Sequence, residues 1–284
     1  MSGSGAVRTG VETRIWSASC AVDDLFVPLV LGAENGGNLD LVEGWGRRWS
    51  VTWCVEGSEL SCPVSAIADV PVRRAEPVRH FSWHPRQRHR PGLEAMVTTR
   101  RLHGFESLEE RKFLRAVDFA GSVRGVLSQP FRLRFKTVAG KVRSHIPDYL
   151  VVMPDGRWLV DVRPARRADK AEDRECFAAA RELAAAAGWQ YSVVSGWRPQ
   201  VVSALEAMRA EARPMSHLLD LQARMMGLLE SGGMPFGELV EATRLPVVAR
   251  AHVLHLLWHR RVGVDLASPL LDGAIVALPQ GRPW

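Results

Sequence analysis

RSHIPDYLVVMPDGRWLVDVR, residues 143–163, decides the reading of this chain. Pro154-Asp155-Gly156 divides it into two β-rich runs, 143–153 and 157–163, which predicts a hairpin. With Asp155 and Gly156 as the central residues of a tight turn, facing residues carry numbers that sum to 311. Asp148 then lies opposite Arg163. Facing residues point to the same side of a sheet, and so does Asp161, two positions before Arg163. Two aspartates and an arginine are therefore expected on one patch. Tyr149, Val151, Val160 and Val162 form the other side, which reads as core.

Outward from the hairpin, residues 106–119 space Leu108, Phe113, Leu114 and Val117 as a helix, and 131–135 alternate as a strand. Residues 169–187 are alanine-rich, with Gly188 as the expected C-cap of a helix, and 190–195 read as a last strand. The order α-β-β-β-α-β predicts an α/β domain, a mixed sheet flanked by helices. A further helix, 200–212, leads to a break at Pro214. Three short helices follow (218–230, 236–243, 247–261), then a hairpin over 267–278 turning at Asp272-Gly273, the layout of a winged helix. At the other end, 26–31 and 49–55 are short β-type runs between glycine-rich breaks, a small β-rich segment. The expected partition is 1–78, 79–199 and 200–284.

Charge is unevenly spread. The net is +6, yet residues 1–72 hold 4 Lys/Arg and 9 Asp/Glu, so −5, which leaves +11 for the rest. Between Arg73 and Arg90 lie six arginines, three histidines (His80, His84, His89) and one acid, with prolines that discourage helix. An extended basic arm is expected, with Arg86, Arg88 and Arg90 on a DNA backbone or, failing that, in a solvated linker. Composition, 46% hydrophobic and 24% charged, is that of a globular protein. The four cysteines form no C-x-x-C pair, and the chain start lacks a basic segment followed by a long apolar run, so a cytoplasmic location away from membranes is expected. Neither a G-x-S-x-G elbow nor a G-x-x-x-x-G-K-[ST] loop is present, which argues against a serine hydrolase and against nucleotide hydrolysis by this chain. His252, His255 and His259 share a helical face, but without a fourth ligand they read as surface residues rather than a zinc site.

Two carboxylates that close in an apolar sheet repel each other and favour protonation. A divalent cation removes the conflict, and hard oxygen donors beside room for water and phosphate suit Mg²⁺, with Mn²⁺ expected to substitute. Such an ion lowers the pKa of a water and offsets charge building on a phosphate. Glu110, on the preceding helix, is the expected third acid, projecting over the same face. The alternative is a buried Asp–Arg pair without metal.

Pro147-Asp148, then Asp161-Val162-Arg163 after a hairpin, within this order of elements, resembles the PD-(D/E)XK nuclease superfamily, whose fold is restriction-endonuclease-like. More narrowly, Glu106-Ser-Leu-Glu-Glu110, Ser128-Gln129-Pro130, His145-Ile-Pro-Asp-Tyr149 and Val160-Asp-Val-Arg-Pro164 are similar to TnsA-type endonuclease subunits of heteromeric transposases. The resemblance spans about residues 79–284. It implies Glu110, Asp148 and Asp161 as metal-binding acids, with the Val162 carbonyl as a further ligand and Gln129 near the site. Gln129, Arg143 and His145 are the expected DNA contacts beside the basic arm. It also implies a 5′-strand cut at each transposon end, with an integrase-fold transposase subunit and an AAA+ ATPase regulator as partners. The chain departs from the superfamily at its lysine, which is Arg163 here. Arginine does not give up its proton, but it can hold a phosphate. An inactive nuclease-fold scaffold that binds DNA or docks the ATPase is one alternative, and a stand-alone restriction or defence nuclease is another.

Overall fold

A computed structural model describes residues 14–79, 91–120, 122–168, 170–216 and 220–280. Arg86, Arg88 and Arg90, with His80, His84 and His89, lie outside the described residues. The chain divides into two compact units, one formed by Phe26–Trp197 and the other by the flanking residues up to Leu25 and from Arg198. These borders differ from the partition read from sequence. The physical reason lies in strand pairing.

In the first unit the elements are β1 (Phe26–Pro28), α1 (Trp45–Arg48), β2 (Ser50–Val55), β3 (Ser58–Pro63), β4 (Ala75–Glu76), β5 (Gly92–Met96) and β6 (Arg101–Phe105). Then come α2 (Leu108–Ala120), β7 (Gly125–Ser128), β8 (Arg132–Lys136), β9 (Val142–His145), β10 (Tyr149–Val152) and β11 (Arg157–Val162). The last are α3 (Ala165–Ala168), α4 (Ala171–Ala186) and β12 (Gln190–Trp197). One five-stranded sheet runs β1-β12-β11-β10-β7. Its pairs are antiparallel except β11 with β12, which α4 connects as a parallel crossover. The sheet is mixed, as expected.

Two strands are not where the sequence placed them. The run 143–153 is broken: β9 pairs with β8 in a second sheet, ordered β3-β2-β8-β9, and β10 belongs to the first. Pro147, without an N–H, stands at the transfer between them. The expected strand at 131–135 is β8, whose Leu133 and Phe135 pack with Trp49, Val51 and Trp53 in one core. Because β2 pairs with β8, the N-terminal β-rich residues are part of this unit rather than a separate segment. β7, absent from the sequence reading, is an outer strand of the first sheet, and β1 is the other.

Helices cover both faces of the first sheet. On one, Phe113 of α2 lies 5.3 Å from Tyr149 and 5.6 Å from Trp158, ring to ring. On the other, Leu150 and Leu159 share a core with Ala178, Ala179 and Leu183 of α4. The alanines let α4 approach closely. It ends as expected at Gly188, in the left-handed region at φ 67°, with Trp189 N–H donating to Ala184 O at 2.8 Å. The β5–β6 hairpin is pinned to α2 by buried charge: Arg111 and Arg115 hold Glu94, and Asp118 accepts from the Val97 and Thr98 amides and the Thr98 hydroxyl.

The second unit holds α5 (Val201–Ala210), α6 (Leu221–Leu228), β13 (Met234–Pro235), α7 (Phe236–Glu241), α8 (Pro246–Trp258) and β14 (Ile275–Val276). The expected helices are present, but the hairpin at Asp272-Gly273 is not. β14 pairs with β13, which precedes α7, and Gly263 bridges Ala277. Asp272 O instead accepts from the Gly237 amide at the start of α7. No helix among the described residues is long and apolar enough to cross a membrane.

Candidate functional site

The β10/β11 ladder pairs Tyr149 with Val160 and Val152 with Arg157, so facing numbers sum to 309 rather than 311. The Met153 N–H donates to Gly156 O, so the turn is centred on Pro154-Asp155, one residue earlier than expected. An even shift leaves every side chain on its face, because the pleat repeats every two residues. It changes the partner: continued one step beyond the ladder, the register sets Asp148 against Asp161, not Arg163. The Val162 N–H accordingly donates to Asp148 Oδ2 at 2.7 Å. On the other flank Tyr149 pairs with Ser128, which brings Gln129 beside Asp148, and the Gln129 N–H donates to Asp148 O at 2.7 Å. Asp161, Asp148 and Gln129 thus follow one another across three strands.

Asp161 is 2% exposed and tightly held. His145 Nε2–H donates to its two oxygens at 3.0 and 3.1 Å, and the Tyr191 hydroxyl donates to Oδ2 at 2.7 Å. Parity puts Asp161 on the α4 face with Leu159, and His145 meets the Phe177 ring of α4. Glu110 comes to the site from α2. Its helix packs on the opposite face, against Tyr149 and Trp158. From the first turn of α2, Glu110 nevertheless lines the same cleft as Asp148 and Asp161. There it accepts from the Glu106 amide and the Ser107 hydroxyl at 2.8 Å each, while its own N–H donates to Ser107 Oγ. These are capping bonds of a helix start.

The cleft has a volume of about 840 Å³. Its floor carries more negative charge than its surroundings compensate. Burial pushes the Asp148 carboxyl well above its usual range, and the charges of Glu110 and then Asp161 push it further. Burial also raises Glu110, against the pull of its capping bonds. The two tyrosines of the chain, Tyr149 and Tyr191, do not line the cleft but are buried beside its acids, each with its hydroxyl pushed well above normal by burial and by a neighbouring carboxylate. The Cys176 thiol is pushed up to about 11 by burial. A proton on Asp148 or a divalent cation in the cleft would relieve this potential. The donor chemistry, carboxylate oxygens, fits Mg²⁺ or Mn²⁺. The arrangement is not a ready-made cage: each acid bonds to local donors, and among the described residues no group of three or more His, Cys, Asp or Glu is set to hold a metal.

The other residues singled out from sequence are placed as follows. Arg163 lines the cleft, with its guanidinium on Asp173 of α4, Nε at 3.1 Å and Nη2 at 2.7 Å. Val162 lines it too. Gln129 is buried, its backbone at φ 46°, with Oε1 lacking a hydrogen-bond partner among the described residues. Arg143 does not line the cleft. It is bonded to Glu175 of α4 at 2.5 Å and borders a separate hollow with Asn38 and Glu172. Sequence reasoning missed Tyr191, Asp173 and Arg79, the last lining the cleft and paired with Glu106 at 2.5 Å. The one signal for Tyr191 was scarcity, two tyrosines against nine phenylalanines. In the second unit His252 is buried in α8, His255 is half-buried, and His259, just beyond the helix, is exposed as the sequence reading had it. His252 accepts from Gln222 Nε2, and His255 and His259 donate to Glu211 O and Ala212 O beyond the end of α5.

Residues 121–196 match the family model described as TnsA-like endonuclease N terminal. No curated protein matches the chain. The matched stretch contains Asp148, Asp161, Arg163 and Tyr191 and begins after Glu110. The match supports a TnsA-type endonuclease domain over this segment, a type that belongs to the PD-(D/E)XK superfamily.

Proposed function

We propose, on the premise of that endonuclease domain, that the chain is a metal-dependent DNA endonuclease making the 5′-strand cut at transposon ends within a heteromeric transposase. The single observation that carries the reading is the meeting of Asp148, Asp161 and Glu110 in one cleft, with Asp148 driven towards its neutral form by burial and by the charges of the other two. Asp148 and Asp161 would hold Mg²⁺ or Mn²⁺, joined by Glu110 once it leaves its capping bonds and by the Val162 carbonyl. Bound there, the ion would acidify a water and offset charge on the phosphate in flight. The remaining work falls to side chains of the chain itself. His145 and Tyr191 fix the orientation of Asp161. Arg163 and Arg79 stand in the cleft as cations for a phosphodiester. Arg163 is not a general base, since guanidinium keeps its proton.

The wider assembly follows from the same reading: an integrase-fold transposase subunit for the 3′ strand and an AAA+ ATPase regulator, since the chain lacks a nucleotide-hydrolysing loop. Helix α6, strand β13, helices α7 and α8, and a returning strand succeed one another in the order of a winged helix, which supports that unit as a docking module for DNA or for a partner.

A second reading is an inactive scaffold. It draws support from Arg163, whose guanidinium is bonded to Asp173. The deciding experiment incubates the full chain and its cognate integrase-fold transposase with transposon-end DNA and Mg²⁺. Wild type should nick the 5′ strand, and Asp148→Ala should not, while still binding DNA. Equal behaviour of the two proteins would establish the scaffold.

A further inference from the structure

Arg163 leaves the end of β11 in a fixed direction. Its N–H donates to Val194 O at 2.8 Å, and Pro164 after it restricts its backbone to extended conformations. From there both Nε and Nη2 reach a single oxygen, Oδ2 of Asp173, in the first turn of α4. Both residues line the cleft that holds the acids, and their side chains are 39% and 22% exposed. Arg79 repeats the pattern in the same cleft with Glu106, at 51% and 29%. Each of these guanidiniums is already bonded to a carboxylate.

An ion pair this exposed adds little to folding stability. It does occupy the fork of donors that suits a phosphodiester, with its single negative charge shared over two non-bridging oxygens. We propose that Asp173 is an internal competitor for the DNA backbone: it masks Arg163 in the free protein and releases it when a phosphate enters the cleft. The proposal rests on DNA being the substrate and adds a regulatory residue to that site. The sequence places Asp173 ten residues after Arg163, on another element, so neither periodicity nor motif marks it. Only the packing of α4 on the sheet joins them.

The test measures binding of a short labelled duplex by the full chain in EDTA, where no cutting intervenes. Asp173→Asn should bind roughly two- to tenfold more tightly than wild type, the gain from freeing one exposed cation and removing one repelling charge. Glu172→Gln, its exposed neighbour on the same turn, should gain less than about twofold, which measures the general charge effect. Arg163→Gln should weaken binding by roughly three- to tenfold and make its salt dependence shallower by about one phosphate contact. The decisive protein is the double variant. If Asp173 acts through Arg163, adding Asp173→Asn to Arg163→Gln should yield no more than Glu172→Gln does alone. Asp173→Glu, which keeps a charged competitor, should stay near wild type and guards against a folding artefact. A gain from Asp173→Asn that persists without Arg163, or no gain beyond Glu172→Gln, overturns the masking while leaving DNA as substrate. Absence of duplex binding by wild type and every variant overturns both.

Discussion

Replacing Asp148 by asparagine should stabilise the metal-free protein while abolishing cutting. In the fold the Asp148 carboxyl sits well above the usual aspartate range, chiefly through burial, then through Glu110 and Asp161. A raised folded pKa means that the fold prefers the protonated acid. Its contribution is therefore complete below the unfolded carboxyl range and is lost as pH climbs through the folded value. Each pKa unit of elevation costs about 1.4 kcal/mol once the group is forced to ionise. Asparagine cannot ionise, and its carbonyl can still accept from the Val162 N–H at the position Asp148 Oδ2 holds. Trading a charged acceptor for a neutral one there sacrifices roughly 1 kcal/mol. Relief of desolvation and of repulsion by two acids exceeds that, and the expected net gain for Asp148→Asn near neutral pH is on the order of 1–3 kcal/mol. For a protein of this size that is a rise in melting temperature of roughly 2–5 °C. The assay is thermal unfolding in EDTA from pH 4 to 8 (roughly the span from the unfolded carboxyl range upwards), repeated with Mn²⁺. Wild type should lose stability as pH rises, the variant much less, and Mn²⁺ should stabilise only wild type. A variant less stable than wild type in EDTA at neutral pH would refute the reasoning, because ionised Asp148 would then be favourable without a cation.

Three further outcomes check other parts of the structure. Tyr191→Phe, which deletes the 2.7 Å bond to Asp161 Oδ2, should lower the nicking rate about tenfold with duplex affinity unchanged. Equal loss of both would assign Tyr191 to binding instead. Glu94→Ala strips Arg115 and Arg111 of their buried partner and should cost about 2–4 kcal/mol in denaturant unfolding. Asp118→Ala leaves the Val97 and Thr98 amides without acceptors, and their hydrogen exchange should quicken at least about tenfold, with helix α2 protected as before.

Much of this was written locally. The alternation around Asp155-Gly156 sorts Asp148 and Asp161 to one face and Tyr149, Val151 and Val160 to the other. That sorting survives the two-residue error in register, because it depends on parity alone. The alanine run and Gly188 mark α4 and its end, and the spacing of Phe113, Leu114 and Val117 marks α2, because helix faces and caps are properties of contiguous residues. Which strand lies beside which is not such a property. β8 alternates charged and apolar residues and β10 is apolar throughout, yet neither pattern names a partner: one pairs with β2 in a second sheet and the other with β11. Their partners are set by cores assembled from distant segments, such as Trp49, Val51 and Trp53 against Leu133 and Phe135.

The site divides along the same line. Two acids flanking a hairpin are visible in sequence, as is the arginine beyond them. That Asp161 is gripped by His145 and Tyr191, that Glu110 enters from the helix on the other face, and that Arg163 is held by Asp173 depend on how α2, α4 and β12 pack around the sheet. Local pattern determines the face a residue occupies, since the backbone repeat is intrinsic to the chain. Its neighbours across space are decided only when separate elements exclude water together, and that is a property of the tertiary structure.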